Sequence, residues 1–234
     1  MIDAAAALTL QYGVLFGILG SGLSAAQILL GIVAFAFAFL IAFVLHEYAH
    51  AYAALKSGDP SAKMAGRLSL NPIRHIEPMG LVSFMLVGFG WGKPVPVNPF
   101  NYKNFRKGNF WVSISGVLTN LILGIVFGLC YCLIYKYGDL GNLGIFMLGY
   151  FFMYGTVLNF FLMIFNLLPI PPLDGYNMLV SFTKPNNRFM AFMRQNAMWM
   201  LLAIFVVLMV TSFVGVGLGN AILRATRSFW GLIF

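Results

Sequence analysis

The chain has 234 residues, 61% of them hydrophobic and 9% charged, with a mean hydropathy of +0.89. Soluble domains carry about 25% charged residues, so this composition excludes a soluble fold and leaves an integral membrane protein. The formal charge of +8 comes from 14 basic and 6 acidic residues scattered through short connections between apolar runs. That distribution fits membrane topology and anionic headgroups, and it argues against nucleic acid as a partner.

Backbone in lipid must satisfy its own hydrogen bonds, and these apolar runs are continuous rather than alternating, so helices are expected and a barrel is not. Met1-Ile2-Asp3 and the alanines after it lack a basic leader, so no cleaved signal peptide is expected. Residues 4–20 are apolar but near the lower limit of about 17 residues for a span. Gly13 and Gly17 within them have the spacing that admits a second helix closely, or are simply tolerated by lipid. Residues 28–55 make a helix of roughly 42 Å, longer than the hydrocarbon core, so its end should tilt or protrude.

A polar connection, 56–74, turns at Ser57-Gly58-Asp59-Pro60. Residues 76–90 are apolar again but short, and are interrupted by Pro78 and Gly80, which predicts a re-entrant piece rather than a span. The run Trp91-Gly92-Lys93-Pro94-Val95-Pro96-Val97-Asn98-Pro99 forbids a helix and favours extended backbone. Trp91, Tyr102 and Lys103 suit the membrane interface. Spans are expected at 110–135, 143–168 and 198–218, and the tail with Arg224, Arg227, Phe229 and Trp230 reads as an interfacial amphipathic stretch. Cys130 and Cys132 lie on different helix faces and read as small hydrophobes. The expected architecture is all-α, with about five to six hydrophobic segments and a short extended or re-entrant element between the second and third full spans. No repeat or linker divides it, so residues 1–234 are read as one domain, with a core at about 28–180 and a last span and tail at 196–234.

Within the run 28–55, His46-Glu47-Tyr48-Ala49-His50 puts two imidazoles and a carboxylate into a segment otherwise fit for lipid. Ionisable groups there cost roughly 2.5 to 3.5 kcal/mol each on insertion scales, which makes a function the economical explanation. At i and i+4 the two histidines project from one helix face, the spacing for sharing one metal ion, with Glu47 placed to act on a water. At 1.5 Å per residue, His50 lies about 8 Å and His46 about 14 Å before the helix end.

A catalytic zinc site ordinarily has three protein ligands and an open position. The other candidates are His75 and the acids Asp3, Asp59, Glu77, Asp139 and Asp174. If 76–90 re-enters without crossing, the next two spans return the chain to the side of the histidines, and Asp174 arrives there. It follows the helix-breaking Pro169-Ile170-Pro171-Pro172, with Gly175 permitting a close turn. An ordinary turn carboxylate is the alternative. His75 and Glu77 are expected to be solvated residues of the interfacial loop. On this topology eleven of the fourteen basic residues fall on the histidine side and three on the other, which makes the histidine side cytoplasmic. Asn120, about 15 Å along its span, is a second intramembrane polar residue. Its amide can donate to a substrate carbonyl or developing oxyanion, or make an interhelical hydrogen bond.

These elements together resemble the site-2 proteases, the zinc-dependent intramembrane metalloproteases. His46-Glu47-Tyr48-Ala49-His50 is similar to that family's HExxH, and Asn166-Leu167-Leu168-Pro169 through Leu173-Asp174-Gly175 to its Asn-x-x-Pro…Leu-Asp-Gly segment. Ser115-Gly116-Val117-Leu118-Thr119-Asn120 resembles its Gly-Pro-x-x-Asn element, and the connection 66–104 resembles that of compact bacterial and archaeal members without a PDZ domain. Val117 departs from the family's usual proline and Tyr176 from a common second glycine. The resemblance implies one Zn²⁺ held by His46, His50 and Asp174, with Glu47 and Asn120 catalytic. It also implies hydrolysis of a peptide bond in or beside a membrane segment of a protein substrate, in a prokaryotic plasma membrane. A homo-oligomer is compatible with the sequence. The competing readings are a non-proteolytic metal binder or transporter, and an inactive scaffold.

Overall fold

Helix α1, Ala25–Ser57, begins at a capping box. The Ser24 hydroxyl accepts from the Gln27 N–H, and the Gln27 side chain accepts in return from the Ser24 N–H. It ends at Gly58, whose φ of 110° is open to glycine and costly for other residues. The buried positions Ala34, Ala38, Ala42, His46, His50 and Ala54 recur every fourth residue. Small side chains along such a stripe let neighbouring helices approach closely, the main source of helix packing in lipid. The histidines continue the alanine stripe, so the surface that packs the bundle also aims the imidazoles into it.

The structure is a computed structural model and describes residues 23–87, 92–139, 141–184, 187–213 and 217–233. The segment 4–20, with Gly13 and Gly17, lies outside the described residues, as does Trp91. After α1 come the short helix α2, Ser61–Met64, the 3-10 turn Pro72–Arg74, and α3, Pro78–Val87. A second 3-10 turn, Pro99–Asn101, leads into α4, Phe105–Tyr137, and then α5, Leu143–Asn166. The chain continues through α6, Asp174–Val180, α7, Arg188–Gln195, α8, Ala197–Phe213, and α9, Leu218–Gly231. Helices α1, α4 and α5 are long and apolar enough to cross a membrane, and the pair α7 and α8, bent by 65°, makes a fourth span if the two are read as one. The fold is thus an all-α, multi-span membrane architecture.

Helices α1, α4 and α5 pack on one another around Ala34, Phe35, Ala38 and Ala42 facing Tyr131, Phe146, Tyr150, Met153 and Tyr154. Phe35 meets Tyr154 edge to face at 5.3 Å. Helix α4 runs without a break through Val117, in keeping with the absence of proline there.

The short apolar segment after α2 behaves as its length predicts. At ten residues α3 spans only about 15 Å, and its flanks meet: Ile76 pairs antiparallel with Gly92, and the Lys93 N–H donates to the His75 carbonyl at 2.8 Å. The chain therefore leaves and returns at one place. Asp59 secures the connection from the other side, accepting from the Asn98 N–H at 2.6 Å, the Asn101 amide at 2.8 Å and the Ser61 hydroxyl at 2.6 Å.

One expectation is corrected and two are extended. His75 is not a solvated loop residue; it is fully buried, with Nε2 on the Ser69 carbonyl at 2.7 Å, because its main chain anchors the returning segment. Tyr102, expected at the interface, is buried with Ala54 and Val112, its ring lying over Gly108. The tail helix α9 does more than lie at the interface. It packs Ile222, Leu223 and Thr226 inward and stacks Arg227 over the Tyr135 ring at 5.6 Å.

Candidate metal centre

His46 and His50, one turn apart on α1, and Asp174, the first residue of α6, converge. The Nε2 atoms of the histidines are 3.0 Å apart, and Asp174 Oδ2 lies 3.4 Å from the first and 3.2 Å from the second. Asp174 comes within reach because α5 stops at Asn166 and the segment through Pro169, Pro171 and Pro172 turns the chain back toward α1. Gly175 makes that turn possible, since a Cβ there would strike the Leu167 carbonyl.

Each ligand candidate is held through α4. His46 Nδ1 meets the Asn120 side-chain oxygen at 2.5 Å, and His50 Nδ1 meets the Val112 carbonyl at 2.7 Å. The Asn109 amide donates to the Asn177 carbonyl and the Ser181 hydroxyl, fixing the helix that begins with Asp174. Asn109, Val112, Gly116 and Asn120 thus form one face of α4. Gly116 sits directly beneath the imidazoles: a Cβ there would lie 2.5 Å from His46 Cε1 and from His50 Nε2.

The donor chemistry fits a cation. The Val112 carbonyl and the Asn120 oxygen only accept hydrogen bonds, so both neutral imidazoles carry their proton on Nδ1 and turn an Nε2 lone pair inward. No hydrogen-bond donor reaches Asp174 Oδ2 among the described residues. Three acceptors facing one point repel unless a cation lies between them. A tetrahedral ion with bonds of about 2.0–2.1 Å has ligand-to-ligand edges of about 3.3 Å, close to the three separations observed. These three residues are the cluster among the described residues able to hold a metal ion.

Glu47, next to His46 in sequence, is half-buried and accepts a hydrogen bond from the Val95 backbone N–H. The ionisable groups around it are His50, Asp174 and Arg67. Asn120 places its oxygen on His46 and its nitrogen on the Ala42 carbonyl and the Asn159 oxygen, at 3.2 and 2.8 Å. Tyr176 packs with Ile170, Met190 and Met193, and its hydroxyl donates to the Met190 carbonyl, away from the ligand triangle. Cys130 and Cys132 are free and apart from it.

The chain is 43% identical over 140 residues to the candidate zinc metalloprotease YwhC of Bacillus subtilis (strain 168). The alignment covers 59% of this chain and 64% of YwhC, so the chain spans less than two thirds of that relative's length. No family model and no solved structure matches the chain. Asn109, Val112 and Asn159 are the residues around the site that sequence reasoning missed. Asn109 and Asn159 carried one signal, an amide in or at the end of an apolar helix. Val112 carried none, because its contribution is a main-chain carbonyl.

Proposed function

We propose that this protein is a zinc-dependent intramembrane endopeptidase that cuts a peptide bond within or next to a transmembrane segment of a membrane-protein substrate. The observation that carries the reading is a buried triangle of three acceptors, His46 Nε2, His50 Nε2 and Asp174 Oδ2, with a carboxylate beside it. A zinc ion held there supplies Lewis acidity, polarising a carbonyl and lowering the pKa of water toward about 7. Glu47 takes the proton of the attacking water and returns it to the leaving amine. The Val95 N–H keeps the Glu47 carboxylate aimed while Asn120 and the Val112 carbonyl keep the imidazoles aimed.

Substrate enters along residues 93–98, which already touch Glu47 through Val95. Pro94 and Pro96 lack an N–H, so the edge they occupy offers only carbonyl acceptors to an unwound substrate strand. On this reading the chain is one domain of five to six hydrophobic segments in a prokaryotic plasma membrane, with the metal nearer the cytoplasm. A metal transporter would carry polar groups onward through the bundle. Beyond Asn159 the core of α5 is Phe146, Tyr150, Met153 and Tyr154, with no carboxylate, imidazole, ammonium or guanidinium among these four. Purified protein given a single-span membrane substrate should cut it, lose cleavage on treatment with a strong chelator, and regain it with zinc. Cleavage that survives metal removal would contradict the proposal.

A further inference from the structure

We propose that Asn159 on α5 sets the metal-binding tautomer of His46, acting through Asn120; the inference rests on the metal-site reading above. His46 can offer Nε2 to a metal only while its single proton is on Nδ1, and that proton needs an acceptor. The acceptor is the Asn120 side-chain oxygen. An amide, however, exchanges an acceptor for a donor on a half-turn about its last bond. With the nitrogen facing His46, the proton would move to Nε2 and the ligand would be lost.

What prevents the half-turn is a chain of hydrogen bonds of fixed polarity. The Asn159 nitrogen donates to the Gly155 carbonyl at 2.7 Å, an oxygen that can only accept. This leaves the Asn159 oxygen to face Asn120, whose nitrogen donates to it at 2.8 Å and to the Ala42 carbonyl at a longer 3.2 Å. The Asn120 oxygen is then committed to His46. Both amides are fully buried, so water cannot substitute for a missing partner. His50 needs no such device, because its Nδ1 faces the Val112 main-chain carbonyl, which cannot turn over. Asn120 and Asn159 are accordingly positioning residues.

Zinc affinity of the purified full chain in detergent, measured by competition with a chelator, tests this. Asn159→Leu removes the acceptor that orients Asn120, and should weaken zinc binding by about tenfold to a hundredfold, the usual effect of losing a partner behind a ligand. Asn159→Asp keeps an oxygen facing the Asn120 nitrogen and should bind within about threefold of wild type. The double variant Asn120→Asp/Asn159→Leu presents an oxygen to His46 in either orientation and should recover most of the loss. Wild-type affinity in Asn159→Leu, or no recovery in the double variant, would overturn the relay. Should the leucine variant not fold, Asn159→Asp decides alone: retained affinity supports the relay, and a tenfold loss overturns it. Absence of zinc from wild type would instead defeat the metal reading and the relay with it.

Discussion

Gly116 shows how little tolerance the site has. Its Cα faces both ligand rings, which are pinned from behind by Asn120 and Val112 and therefore cannot retreat. Gly116→Ala should lower zinc affinity by at least about tenfold, the scale on which ligand orientation acts, and metal analysis of the purified variant checks it. Unchanged zinc content would mean that the rings move more freely than their hydrogen bonds imply. At this scale His46, Glu47 and His50 were legible because apolar surroundings make ionisable groups conspicuous. Asn120 was legible as a polar residue in lipid but not as the partner of His46. The choice between donating to a substrate and orienting a ligand depends on which helix faces it, and spacing along one helix does not carry that information.

At the scale of elements, the connection between α2 and α4 is held by Asp59. Burial opposes ionisation of its carboxyl, but hydrogen bonds from Asn98, Ser61 and Asn101 outweigh it and hold the group below the usual carboxylate range. A carboxyl whose pKa is depressed on folding stabilises the fold above its unfolded value of about 3.9, and the contribution fades as pH falls through the folded value. Asp59→Asn should therefore cost roughly 1–3 kcal/mol near neutral pH, as expected for hydrogen bonds to a charged group. Its deficit relative to wild type should shrink once the solution is acid enough to protonate Asp59. Thermal unfolding followed from neutral to acid pH measures both, and a deficit independent of pH would assign the loss to packing. Helix boundaries were legible to within about five residues, α4 for example beginning at Phe105 rather than at 110. The inward burial of His75 and Tyr102 was not, because each is buried by a segment distant in sequence, the returning chain at Lys93 in one case and α4 in the other.

For the whole molecule, the topology argued from sequence brought Asp174 to the histidine side, and the three acceptors do meet. The shortness of 76–90 was enough to place Asp174 on that side, and the pairing of Ile76 with Gly92 matches it. The side of the membrane rests on charge alone. Single cysteines at Lys63 and Lys107 should react with an impermeant thiol reagent only from the cytoplasmic face, and a cysteine at Lys136 only from the opposite face; the reverse pattern would invert the topology. The tail was read from composition as interfacial because its amphipathic pattern does not distinguish a lipid surface from the flank of α4 and α5.

On the proposed function the buried triangle serves hydrolysis and Glu47 carries the proton. The most direct measurement compares wild type with Glu47→Gln, recording zinc content and cleavage of a single-span membrane substrate in the same samples. Zinc retained with cleavage reduced by at least about a hundredfold, the range for a general base, is the predicted result. Equal cleavage by both proteins would contradict it.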